Sequence, residues 1–258
     1  TEGFDYWYNE AWRLQNPTSM SDEAQGSFQK APLFDNGNAT YTYEDELFGL
    51  SWSSRYNAIR NCNNFLTQLS EATSLSENEK KALIAEGRFL RAFNYFTLVK
   101  RYGGVPLITE AQKYDPSKVD SLQVSRDKEV DVYDFIVNEC LAAAEDLPKT
   151  RDNNNKYRVT SGAAYALASR AALYAGSIAR YGSVQLDGVV GIPSSEADRF
   201  FKASYESSKK IIEAGVYKLY NKDDDKAVNF CNIFTKTTNG DNDEYIFQKQ
   251  YDVASGNG

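Results

Sequence analysis

The sequence predicts an all-α protein made of helical hairpins separated by long irregular loops. Three observations carry this. The stretch 81–106, KALIAEGRFLRAFNYFTLVKRYGGVP, is apolar around nearly the whole of a helical wheel, and a helix hydrophobic all round belongs in the middle of its domain with other helices packed against it. Several further segments place apolar residues at helical spacing between capping residues and glycine or proline stops. A short polar turn at 74–77 joins two of these segments into a helical hairpin.

Taken in order, residues 1–40 open with Phe4-Asp5-Tyr6-Trp7-Tyr8 and Trp12-Arg13, then pass through Asn16-Pro17 into a Ser- and Gly-containing loop. That density of turn formers predicts irregular structure, and its aromatic content argues against disorder. Thr42 to Ser70 reads as a helix capped at Thr42, with Leu47, Leu50, Ile59, Cys62, Phe65, Leu66 and Leu69 recurring at helical spacing. The central helix follows. Ser76 with Glu79 fits a capping box, and Gly103-Gly104 supplies the stop. Val105-Pro106-Leu107 leaves in extended form, because the residue before a proline is pushed out of the α region. The next helix is Asp127 to Leu147, ended by Pro148. Another is capped at Thr160 or Ser161 and closes before Gly182, with Ala164, Ala168, Ala171, Ala172 and Ala175 small enough for close helix approach. A further helix spans about Ser195 to Ala214, capped through Ser195 and Asp198 and ending at Gly215. Glu244 to Gln248 is a strand-like run.

Charges inside the central helix need partners. Glu86, Arg88 and Arg91 lie within its apolar sequence, and unpaired charges in a packed bundle carry a heavy desolvation cost. The expectation is that they tie neighbouring helices and loops together rather than meet a ligand.

Composition narrows the chemistry. The 258 residues carry a formal charge of −7 and no histidine. The acidic balance argues against nucleic acid, since no basic stripe is present to neutralise phosphates. Without histidine, Ser-His-Asp and Cys-His catalysis and histidine-liganded metals are excluded. Glycoside hydrolysis needs only two carboxylates, so an all-α glycosidase stays open as an alternative. No glycine-rich phosphate loop is present, so no cofactor is expected. Asn221 to Asp225 and Asn239 to Glu244 are acidic loops; the second has oxygen ligands of the kind calcium takes but not the EF-hand spacing, and both are read as solvated turns without a metal. Cys62, Cys140 and Cys231 are an odd number, which leaves at least one free thiol. No apolar run is long enough to span a membrane. The chain opens on Thr1-Glu2-Gly3, as expected of a processed or trimmed product.

Eighteen Tyr, fourteen Phe and three Trp make up 14% of the chain. Aromatic rings stack on flat apolar faces, and tyrosine adds a hydroxyl, which suits sugar rings; helical cores also consume aromatics. The segment AEGRFLRAFNYFTLVKRYGGVPL, residues 85–107, resembles the signature helix of the SusD/RagB family, surface lipoproteins of Bacteroidetes that capture nutrients, mostly glycans. Residues 158–167, RVTSGAAYAL, and the Gly215-Val216-Tyr217-Lys218-Leu219 run are similar to two further family segments, and Trp52 through Leu66 resembles the helix before the signature. The similarity covers about residues 42–251, and more weakly 16–34.

The resemblance implies tetratricopeptide-like hairpins over a single helical domain spanning 1–258, as the N-terminal portion of a longer family domain whose C-terminal half is absent from the chain. It implies a binding protein rather than an enzyme, delivering glycan to a SusC-like TonB-dependent transporter. It also implies a place at the outer membrane on the cell surface, held by an N-terminal lipid anchor that is not in this chain. Peptide is the alternative ligand within the same family. Family ligand contacts follow an S/T-D-E element, here Ser21-Asp22-Glu23. The candidate ligand-binding residues around it are Trp12, Arg13, Asn16, Phe28 and Gln29. They offer ring faces for stacking beside amide and guanidinium groups for hydroxyls. Packing of Trp7 and Trp12 against the helices is the competing structural reading.

Overall fold

The computed structural model of the chain describes residues 52–117, 119–152, 154–235, 242 and 244–248. The protein is all-α. Six helices are described: α1 (Trp52–Glu71), α2 (Glu77–Tyr102), α3 (Glu129–Asp146), α4 (Ser161–Tyr181), α5 (Ala197–Ala214) and α6 (Lys226–Thr235). Short 3₁₀ turns lie at Val119–Leu122, Leu186–Gly188 and Ser194–Glu196. The chain divides into a larger unit, Ile59–Gln248, and a smaller one made of Thr1–Ala58 and Lys249–Gly258. Of the smaller unit only the start of α1 is described, where the Trp52 and Tyr56 rings lie 5.1 Å apart, one helical turn from each other.

Helix α2 starts and stops where its sequence dictates. The Ser76 hydroxyl accepts from the Glu79 amide, and the Glu79 carboxylate accepts from the Ser76 amide at 2.9 Å, so the capping box is complete. Glu77 and Glu79 in the first turn and Lys100 and Arg101 in the last complement the helix dipole. Gly103 ends the helix at φ 69°, a backbone geometry that glycine adopts without a side-chain clash. Between these ends Ala85, Phe89, Ala92, Tyr95, Phe96, Leu98 and Val99 are buried. Burying a large apolar side chain fully is worth about 1.5–3 kcal/mol, so this one helix accounts for a large share of the core.

The other helices pack in sequence on each other, α2 on α3, α3 on α4 and α4 on α5. This is the expected tetratricopeptide-like array of hairpins. α1 reaches α2 at Gly87, where a Cβ would stand 2.9 Å from the Leu66 side chain and 3.1 Å from Phe65. Helix α3 buries Val132, Tyr133, Ile136, Val137, Cys140 and Ala143. The expected small-residue face of α4 is buried through Ala164, Ala168, Ala171, Ala172 and Ala175, and Phe201 of α5 sits over Gly176. Thr160 caps α4 by accepting from the Ala163 amide.

Three details differ from the sequence reading. Asp127 does not start α3; the helix begins at Glu129, and the Asp127 carboxylate accepts instead from the Leu107 amide at 2.7 Å, pinning the extended segment after α2. Helix α5 is not capped through Ser195 and Asp198. Ser195 lies in a 3₁₀ turn at Ser194–Glu196, Asp198 lies already inside the first turn of the helix, and the helix opens at Ala197 without a side-chain cap. Residues 244–248 form turns and bends rather than a strand. No strand is described that could pair with them, and Phe247 packs edge-on against Phe89 at 5.5 Å. For the helix expected from Thr42, the described part begins at Trp52, and residues 42–51 lie outside the described set.

Candidate functional site

The charges of α2 are partnered across the bundle. Glu139 of α3, 6% exposed, takes two arginines at once. Its Oε1 accepts from Arg88 Nε at 3.0 Å and Nη2 at 2.8 Å; its Oε2 accepts from Arg91 Nε at 3.1 Å and Nη2 at 2.6 Å. Arg91 Nη1 also donates to the Asn63 side-chain oxygen at 2.9 Å and to the Thr109 carbonyl at 2.8 Å. Asn63 in turn donates to the Ile108 carbonyl at 2.8 Å. One web therefore joins α1, α2, α3 and the extended segment after α2. Bidentate guanidinium–carboxylate pairs with further hydrogen bonds are the form in which buried charge is tolerated.

Glu86 forms a second cluster, with Arg151 Nη2 at 2.5 Å and Arg158 Nη2 at 2.7 Å, and Arg151 also donates to the Val159 carbonyl. This ties α2 to the loop that leads into α4. The Tyr95 hydroxyl accepts from the Ile108 amide at 2.7 Å and donates to its carbonyl at 3.0 Å; burial pushes its pKa up to about 12. With their hydrogen bonds used inside the fold, Glu86, Arg88 and Arg91 serve as ties between elements, as their place in an apolar helix implied.

The acidic loop at 221–225 is organised by Asn229, which is buried on α6. Its Oδ1 accepts from the Lys222 and Asp223 amides, both at 2.9 Å, and its Nδ2 donates to the Asp223 carbonyl at 2.6 Å. Among the described residues no group of three or more carboxylates, thiols or imidazoles is placed to hold a metal. Of the second acidic loop only Asn242 and Glu244 are described, and Glu244 accepts from the Tyr220 amide at 2.6 Å. All three cysteines are free thiols, with Cys140 buried and Cys231 exposed. Among the described residues no helix is long and apolar enough to cross a membrane.

A cleft of about 310 Å³ opens between the first turn of α4 and the last turns of α5, walled by Tyr165, Tyr217, Lys149, Lys210, Ser161 and Glu213. The Tyr217 hydroxyl lies 3.1 Å from the Thr160 hydroxyl. Gly162 makes room for that ring, since a Cβ there would stand 2.4 Å from the Tyr217 oxygen. The sequence marked both Gly162 and Tyr217 through their segments but did not bring them together, because 55 positions separate them. Trp12, Arg13, Asn16, Phe28 and Gln29 all lie outside the described residues.

Comparison with known proteins agrees with this helical scaffold. A SusD-like family model, described as starch-binding and associating with the outer membrane, matches residues 5–173. A SusD-like protein of Bacteroides ovatus is 31% identical over 163 residues, 61% of this chain and 29% of that protein. SusD-like protein P2 of Formosa agariphila is 30% identical over 130 residues, 50% of this chain and 25% of that protein. The matched part of the chain thus spans less than a third of the length of these relatives. Among solved structures, a SusD-like protein of Bacteroides fragilis superposes with a TM-score of 0.62 at 33% identity, over 78% of this chain and 33% of that one. A laminarin-binding SusD-like protein gives 0.59 at 25% identity, over 80% and 38%. With about two-thirds of its length inside the family model, the chain belongs to the SusD-like family.

Proposed function

We propose that this chain is a binding module that captures glycans at the outer surface of the cell and hands them to a SusC-like TonB-dependent transporter, with a lipid anchor on the N-terminal side holding it to the outer membrane. The observation that carries this reading is the family match over residues 5–173, whose description names starch binding and outer-membrane association. That stretch includes Trp12, Arg13, Asn16, Phe28 and Gln29, which we assign to the ligand. A solved relative is named for laminarin binding, which supports polysaccharide as the ligand class.

Binding without turnover fits the chain's own chemistry. It has no histidine, and its most buried carboxylate–arginine clusters are saturated by internal hydrogen bonds. Incubation with maltooligosaccharides and laminarin oligosaccharides is expected to leave their reducing ends unchanged; new reducing ends abolished by one carboxylate substitution would overturn the reading. Purification from the native outer membrane is expected to bring a TonB-dependent transporter with the protein, and its consistent absence would remove the delivery step.

A further inference from the structure

The cleft between α4 and α5 is small and lies at the lower end of ligand-pocket volumes, which run from about 300 to 1,000 Å³. That is room for a single sugar unit, not for a chain segment. Two tyrosines line it. Tyr217 is held in place by the contact between its hydroxyl and Thr160 and by the missing side chain of Gly162. A ring fixed in this way offers a stacking face at low entropic cost.

Charge selects the ligand further. The protein as a whole is acidic, at −7, yet this cleft is lined by two ammonium groups, Lys149 and Lys210, against one carboxylate, Glu213. Glu213 lies within 3.8 Å of Lys209 on the same helix. Lys149 and Lys210 have no carboxylate partner among the described residues. Two cations without a carboxylate partner among the described residues, beside two tyrosine rings, suit a ligand that carries both a carboxylate and a sugar ring.

We infer that this cleft is a further ligand site, built from residues other than those of the N-terminal aromatic segment, and that it takes a carboxylate-bearing sugar unit, a uronic acid residue. The ring lies against Tyr217 and Tyr165, and the carboxylate is met by Lys149 and Lys210. Neutral sugars stack there but leave both cations unanswered, so they bind more weakly.

The test uses the full chain and three probes, methyl galacturonide, methyl galactoside and acetate, titrated at low salt and followed by protein-observed NMR. Methyl galacturonide is expected to bind with a Kd in about the millimolar range and to perturb Tyr165 and Tyr217. Methyl galactoside and acetate should each bind about tenfold more weakly. The double substitution Lys149→Met/Lys210→Met, on exposed side chains, should weaken methyl galacturonide about tenfold and remove its salt dependence. The inference is overturned if the galacturonide and galactoside bind alike, if acetate equals the galacturonide, if the double variant binds like the parent, or if no probe binds. Loss of neutral oligosaccharide binding on substitution of Trp12 is a separate titration, so failure of this site and failure of the proposed glycan capture are read independently.

Discussion

Arg91 and Glu139 face each other across the α2–α3 interface, joined by two hydrogen bonds of 2.6 and 3.1 Å, with side chains 10% and 8% exposed. The same carboxylate holds Arg88, whose side chain is 34% exposed. Glu139 therefore neutralises two guanidiniums, and its loss strands both. Glu139→Ala is expected to lower unfolding free energy by about 3–5 kcal/mol in urea titration, the cost of an uncompensated buried charge. Arg88→Met, removing the more exposed partner, should cost far less. Equal costs would show that the two pairs are not arranged as described.

Tyr133 gives the opposite sign. Its ring is fully buried, and its hydroxyl has no hydrogen-bond partner among the described residues. Burial pushes the phenol pKa far above its ordinary value. A buried hydroxyl without a partner costs about 1–3 kcal/mol relative to a shape-matched apolar group. Tyr133→Phe is accordingly expected to raise the melting temperature. A fall would mean that the hydroxyl is satisfied by an internal water.

Two glycines separate steric from conformational demand. At Gly104 a Cβ would stand 1.9 Å from the Asp127 carbonyl oxygen, whereas at Gly215, with φ 65°, nothing lies within 4 Å. Gly215→Ala should cost about 1–2 kcal/mol for the left-handed backbone alone. Gly104→Ala should cost more, because the segment around Asp127 must move. Chemical denaturation of the two variants side by side checks the order, and a milder effect at Gly104 would contradict it.

Glu129 makes stability depend on pH in an unusual direction. Its Oε2 accepts from the Gly191 amide at 2.5 Å, joining α3 to the 182–193 loop. Burial pushes its pKa above the ordinary value, outweighing the lowering effects of that hydrogen bond and of the Arg126 charge. The folded state thus holds this proton more tightly than the unfolded chain. This group's contribution to stability falls as pH rises from the unfolded carboxylate value through the folded one, and it recovers on acidification. Glu129→Gln keeps an acceptor for Gly191 without the charge. It is expected to be more stable than the parent at pH 7, with the difference shrinking toward about pH 4. A variant less stable at pH 7 would contradict this sign.

Much of the scaffold was legible because its signals are local. Ser76, Glu79, Gly103 and Thr160 act within one helical turn, and so the ends of α2 and the start of α4 follow from the sequence. Asp127, Ser195 and Asp198 look like caps by the same local rule, but longer-range bonds and a 3₁₀ turn took precedence. The run 244–248 has strand composition, but no strand among the described residues pairs with it, and Phe247 packs against Phe89 of the central helix instead. The need of Arg88 and Arg91 for a partner was readable; that the partner is Glu139, 51 and 48 positions away, was not. The α4–α5 cleft was hidden for the same reason, since Lys149, Tyr165, Lys210 and Tyr217 meet only after the helices pack.

The central claim, glycan capture at the N-terminal aromatic segment, is tested most directly by calorimetric titration of maltooligosaccharides and laminarin oligosaccharides into the full chain and its Trp12→Ala and Phe28→Ala variants. A site of one or two stacking rings, each worth about 0.5–1.5 kcal/mol beyond its area, should bind at about micromolar to millimolar strength. Both substitutions should weaken binding roughly three- to tenfold while leaving the melting temperature nearly unchanged. Variants that melt earlier yet bind as tightly as the parent would show that these rings belong to the core, and the claim would fail.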